Sequence, residues 1–232
     1  MSLPKIEVPV YNAVLPSTGK SVEFRPFLVR EQKQLLIALN GGLEDQITAV
    51  NELVRACTYG KVEAETSPAY DVEYLFLQIR AKSVGESIDI VLNCQHCENK
   101  QDAKLDITNV GVNRPEGHKT DIDLGNGLLI SMRDPDLREL SQLREELTAD
   151  SIIQLIARSI KNIWNNDEMY DVKDYSTADL IEFVEGLSPG HLEKINAFFE
   201  TLPVLRHELD FTCTKCNEEN HAVLEGLQSF FV

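Results

Sequence analysis

No stretch of this sequence is apolar for long enough to cross a bilayer, and no basic-then-apolar leader opens it. Both absences lead to the expectation of a chain made and used in a reducing cytoplasm, with no membrane partner. Basic residues are scarce too. The 22 Lys and Arg face 38 Asp and Glu, for a formal net charge of -16. Nucleic-acid binders hold phosphate with clustered Lys and Arg, so this balance argues against DNA or RNA and in favour of basic protein partners. Also missing are a Gly-rich phosphate loop, an HExxH helix and a Gly-x-Ser-x-Gly elbow. His191 and His207 are isolated, and His118 lies in a loop beside Glu116 and Lys119, where it reads as solvated. Nothing in the spacing of the acidic residues selects a catalytic pair. The expectation is a protein that is not an enzyme.

What is present is a pair of matching cysteine motifs. Cys94-Gln-His-Cys97 and Cys213-Thr-Lys-Cys216 account for four of the five cysteines. The first stands between Ile88-Asp89-Ile90-Val91-Leu92 and Ala103-Lys104-Leu105-Asp106-Ile107. The second stands between Glu208-Leu209-Asp210-Phe211 and His221-Ala222-Val223-Leu224. Each therefore caps a short hairpin. A two-residue spacer aims both thiolates at one point, and two such knuckles supply the four sulfurs of a closed tetrahedral zinc site. Cys94, Cys97, Cys213 and Cys216 are accordingly expected to hold one structural zinc ion, with no coordination position left for chemistry. The alternatives are four reduced thiols, or two local clips that have lost their metal. His96 and His221, beside the knuckles, are candidates to replace a sulfur. A disulfide framework finds little support in a chain of 232 residues without a signal peptide.

Around the knuckles the chain alternates between strand and helix signals. Ile6 to Tyr11 reads as an edge strand or extended arm, and Pro16 to Lys20 as the turn of a hairpin. Helical spacing runs from Val29 to Leu39, again from Leu43 to Cys57, and a third time from Ser67-Pro68 to Gly85. Cys57 falls on an apolar stripe and reads as a buried small hydrophobe. Residues 109–120 look like a linker or loop. Asp121 to Leu124 and Leu128 to Met132 flank Gly125-Asn126-Gly127, a hairpin signal. Helices follow from Asp134-Pro135, and from Asp150 through Ile160, Ile163 and Trp164. Asp167 to Asp174 reads as an exposed acidic connection. Helices then start at Ser176 and at Ser188-Pro189, the second running to Phe199.

The expected fold is α+β: a helical core with several β-hairpins, two of them knuckles that form a zinc-ribbon-like unit. Residues 1–108 hold the first hairpin, helices and knuckle; 109–120 a linker or loop; 121–232 the second hairpin, helices and knuckle. A shared metal would pack them as one domain. The repeated order of elements leaves duplication and coincidence both open.

Several segments carry a family likeness. Leu15-Pro16-Ser17-Thr18-Gly19-Lys20, Phe24-Arg25-Pro26-Phe27, Glu31 to Leu36, Cys57, Asp71 to Arg80 and Ser83-Val84-Gly85-Glu86 resemble the opening of the T4-like baseplate hub family, tail proteins of contractile-tailed bacteriophages. The Cys94/Cys97 pair extends the resemblance. It implies a structural role in the virion tail baseplate, with no catalytic residues, after synthesis in the host cytoplasm. The implied partners are other baseplate, tail or tape-measure proteins, with a homo-oligomer as a further option. Apolar segments at the termini, Phe230-Phe231 included, are expected to make such contacts. An assembly chaperone absent from the virion is the alternative, and a zinc-ribbon regulatory module a remoter one. The resemblance also gives Arg25-Pro26-Phe27 and Arg80 a part in holding the hairpin to the helices.

Overall fold

The computed structural model describes residues 7–145 and 147–230, with the backbone alone for residues 144 and 145. Among them are seven α-helices and several small antiparallel sheets, which is the α+β class expected. None of these helices is long and apolar enough to cross a membrane. The chain divides into two units. One comprises residues 1–64, 70–113 and 204–232, and the other residues 65–69 and 114–203. The second unit therefore interrupts the first twice in sequence, mostly as residues 114–203.

The first unit opens with the hairpin β1 (Tyr11–Val14) and β2 (Ser21–Phe24). Alternation puts Val22 and Phe24 inside and Ser21 and Glu23 outside. Glu7 to Val10 form no strand, and Ile6 lies outside the described residues. Three helices follow: α1 (Val29–Ala38), α2 (Leu43–Cys57) and α3 (Ala69–Val84). In α2, Ile47, Val50, Val54 and Cys57 are buried at the helical spacing of a single face. In α3 the burial of Val72, Leu75, Phe76, Leu77 and Ile79 extends around the axis, as in a helix enclosed by its neighbours.

Three polar ties fasten the hairpin and the segment after it. The Ser17 N–H donates to Asp71 Oδ1 of α3 at 2.9 Å. At the end of β2, the Arg25 guanidinium donates to Glu31 of α1 and to the carbonyl of Ala56 in α2. Beside it the Phe27 N–H donates to Ser83 Oγ in α3. Arg25 and Phe27 thus take the part that the resemblance implies for them. Arg80 makes no such tie through Nη1, which is buried without a hydrogen-bond partner among the described residues.

The rest of the first unit is β. Strands β3 (Ser87–Asn93) and β4 (Lys100–Asp106) form one hairpin, with Ile88, Ile90 and Leu92 facing inward. Strand β5 (Gly111–Asn113) falls in the segment that reads as linker or loop. It pairs with a strand more than ninety positions later, which local sequence does not announce. That strand belongs to the final hairpin, whose sheet order places it between β5 and the last strand. Phe230 follows in a short 3-10 turn, buried at 3% exposure, while the Leu227 N–H donates to Glu73 Oε1. Phe230 is therefore a core residue of its own chain, not the free contact residue expected. Cutting after Leu227 would open the core. Phe231 and Val232 lie outside the described residues.

The second unit is a four-stranded antiparallel sheet, β6 (Asp121–Gly125), β7 (Leu128–Met132), β8 (Ile160–Asn165) and β9 (Glu168–Asp171), in sequence order. It carries α4 (Leu137–Glu145), α5 (Ala149–Ser159), α6 (Thr177–Glu185) and α7 (Pro189–Glu200). Its core joins Ile130, Met132, Ile156, Ile160, Val184, Ile195 and Phe198. Two expectations are corrected here. The helix from Asp150 stops at Ser159, and Ile160, Ile163 and Trp164 stand on β8 paired with β7. The acidic stretch after Trp164 is mostly a hairpin arm, since Glu168 pairs with Asn165 and Asp171 with Asn162.

Candidate metal centre

The final hairpin consists of β10 (Val204–Thr212) and β11 (Glu219–Glu225). Strand pairing runs to Asn93↔Lys100 in the first knuckle hairpin and to Thr212↔Glu219 in the second. Each leaves the same six-residue corner. Cys94 N–H donates to Asn99 O and Glu98 N–H to Cys94 O, at 2.9 and 3.0 Å. Cys213 N–H donates to Glu218 O and Asn217 N–H to Cys213 O, at the same two distances. Glu98 and Asn217 both take left-handed backbone, with φ of 56° and 60°. The N–H groups of His96 and Lys215 point at Cys94 Sγ and Cys213 Sγ, each at 3.4 Å. The second knuckle repeats the first bond for bond.

The two corners meet. All four Sγ atoms lie within 4.8 Å of one another. Cys94 and Cys216 are 3.6 Å apart, and Cys97 and Cys213 are 3.7 Å apart. A disulfide would need about 2.05 Å, and all four are free thiols. Sulfurs about 2.3 Å from a shared zinc ion stand about 3.8 Å apart along the edges of a tetrahedron. The donor set and its spacing fit that ion. No histidine belongs to the cluster: His96 is exposed, and His221 hydrogen-bonds Asp210 at 2.8 Å.

Crowded thiols cannot all titrate alike. Desolvation works to raise Cys94, but the N–H groups of Cys97 and His96, together with the Cys216 and Cys213 side chains, outweigh it and bring the thiol down to about 6. The N–H groups of Cys216 and Lys215 likewise lower Cys213. Cys216 goes the other way. The Glu218 N–H lowers it, but burial and the three neighbouring sulfurs push it up to about 12. A cluster that resists shedding its last proton in this way is one that a cation would relieve.

A second set of bonds crosses between the knuckles, and sequence reading missed it. The Gln95 N–H donates to Asn220 Oδ1, and the Thr214 N–H donates to Gln101 Oε1, both at 2.9 Å. Gln101 and Asn220 stand at the same offset from Cys94 and Cys213, so the exchange is reciprocal. A carboxamide at that repeated offset was the available signal. Asn220 is buried. Asn220→Ala is expected to cost about 1 to 2 kcal/mol by orphaning the Gln95 donor, measured by thermal melting, while the metal-to-chain ratio stays unchanged.

The remaining candidates fall elsewhere. Cys57 is wholly buried in α2, and desolvation pushes its thiol up to about 11, as suits a packing residue. His118, expected to be solvated, is largely buried in the second unit. Its Nδ1 lies 3.1 Å from Thr201 Oγ1, its Nε2 lies 3.1 Å from Asp134 Oδ1, and its ring packs on Phe198. The Thr201 hydroxyl donates back to Ala197 O at 2.8 Å. The imidazole thus braces a loop, a connection and the end of α7.

Compared with known families, residues 8–232 match the one described as T4 bacteriophage base plate protein. No curated protein and no solved structure matches the chain.

Proposed function

The chain belongs to the T4 bacteriophage base plate protein family, and from that premise we propose that it is a non-enzymatic subunit of the baseplate hub of a contractile tail. In this reading it binds tail tube, hub or tape-measure proteins during tail assembly and stays in the virion. The family match across nearly the whole chain carries the proposal. The sulfur cluster supports it by supplying a means: a closed clasp keeps a binding surface in shape without reacting.

Cys94, Cys97, Cys213 and Cys216 would hold the zinc ion in that clasp, and the ion when bound supplies a fixed crosslink. The chain's own part is to present four thiolates, steer them with backbone N–H groups and lock the two corners through Gln101 and Asn220. The net charge of -16 favours protein partners with basic faces over nucleic acid. Quantitative mass spectrometry of purified virions tests the reading. A fixed copy number per tail is expected. Absence from virions whose assembly still requires the protein would replace the subunit with the chaperone alternative.

A further inference from the structure

In the first unit, α1, α2 and α3 enclose a groove of about 230 Å³. Its walls are mostly apolar, built by Phe27, Leu35, Leu36, Leu39, Phe76 and Val84, with Gln32 and Gln46 as neutral polar neighbours. Three of these residues are turned out to solvent: Leu36 is 57% exposed, Leu39 52% and Val84 55%. Single exposed leucines are ordinary on a protein surface, but apolar residues gathered along one groove mark a contact site. Leu35 and Leu36 of α1 and Leu39 at its C-cap follow helical spacing and form a continuous apolar edge.

One charged residue also lines this groove. Arg80 reaches it from α3 with its Nη1 buried and without a hydrogen-bond partner among the described residues. Burial lowers its pKa, as it does for a cation with no nearby counter-charge. A guanidinium normally finds a carboxylate or carbonyl when it leaves water. Helix α1 does not provide one. Glu31 is the only acidic residue of α1, and it is buried and already paired with Arg25 and Arg30.

An apolar groove between helices with an unanswered cation inside has a complementary shape. From it we infer that the groove receives an amphipathic helix of another tail protein, one that carries an Asp or Glu on its apolar face. The apolar side chains fill the space beside Leu36, Leu39 and Val84, and the carboxylate accepts from Arg80 Nη1. Helical walls without a free strand edge suit a helix better than an added strand. Against the chain's overall acidity this pocket is distinctive, because among the described residues only Arg80 holds a buried guanidinium nitrogen without a hydrogen-bond partner. The inference rests on the reading of the chain as an assembly subunit only for the source of its partner.

The test uses the full chain against a tiled array of peptides from the other tail and baseplate proteins of the same phage. Peptides with an apolar helical face and one carboxylate are expected to bind. Changing that carboxylate to the amide should weaken binding at least about tenfold, the size of one charge-assisted hydrogen bond. Leu36→Lys with Leu39→Lys, and separately Arg80→Met, should do the same. Arg80→Met should meanwhile melt no earlier than the unaltered chain, since no internal bond is lost. Four results overturn the inference: no peptide binds; binding ignores the carboxylate; Arg80→Met unfolds the chain; or Leu36→Lys abolishes self-association of the chain, which would make the occupant a second copy. Virion composition, measured separately, tells a failure of the subunit reading from a failure of the groove.

Discussion

Cys213→Ser is expected to release the metal and to lower the stability of the first unit by about 4 kcal/mol. The estimate comes from the loop that the clasp closes. Cys97 and Cys213 are 116 positions apart, and crosslinking a loop near that length removes about 4 to 5 kcal/mol of unfolded-chain entropy. A serine oxygen is a poor exchange for a thiolate on a borderline-soft ion, and Cys213 is itself wholly buried. Elemental analysis should find one zinc per unaltered chain and almost none in the variant. Chelator should lower the melting point of the former and leave the latter unmoved. Cys57→Ala, which alters the buried cysteine outside the cluster, should keep its metal. Purified protein without metal would remove the clasp from the argument. Full zinc content in Cys213→Ser would mean that the two pairs do not share one ion.

Glu31→Ala is the second large effect, with an expected loss of about 3 to 5 kcal/mol. Arg25 and Glu31 are both buried, 3.0 Å apart, and Glu31 also accepts from Arg30 Nε and from the Leu28 N–H, both at 2.6 Å. Removing one partner of a buried ion pair strands the other, which costs more than the pair itself contributes. The pH dependence has a definite sign. Desolvation raises the Glu31 carboxyl, but Arg25, Arg30 and the Leu28 N–H together bring it from the usual 4.5 down to about 2. A folded value below the unfolded one stabilises fully above pH 4.5 and is lost as pH falls toward about 2. Glu31→Gln should therefore flatten that stretch of the acid unfolding curve. Equal acid limbs in the two proteins would show the carboxylate uncharged or unpaired. Replacing both residues, Arg25→Met with Glu31→Leu, should recover much of the loss in neutral solution.

The cysteine motifs were legible because their chemistry is local. A two-residue spacer and flanking alternation state the knuckle in a dozen residues. The meeting of the two knuckles is a tertiary fact, although their identical flanking offsets hinted at it. β8 was misread for a physical reason: Ile153, Ile156, Ile160 and Ile163 keep helical spacing straight through Ser159, and only pairing with β7 makes the last two a strand. β5 carries three residues, one a glycine and one an asparagine, so its strand character comes from β10 alone. His118 was judged by its loop, but Asp134 and Thr201, which bury it, come from other parts of the second unit. The Arg25 tie followed from the family likeness. That Arg80 Nη1 is buried without a hydrogen-bond partner among the described residues is a tertiary fact, which a sequence does not record.

The interrupted first unit has a consequence for biosynthesis. Ribosomes deliver residues 114–203 as one uninterrupted piece, so that unit can begin folding while the remainder is still being translated. The other unit must wait. Its β5 has no neighbour, and its first knuckle only two of the four clustered sulfurs, until residues 204–216 emerge. Its completion thus follows the second unit in chain order and depends on the arrival of Cys213 and Cys216.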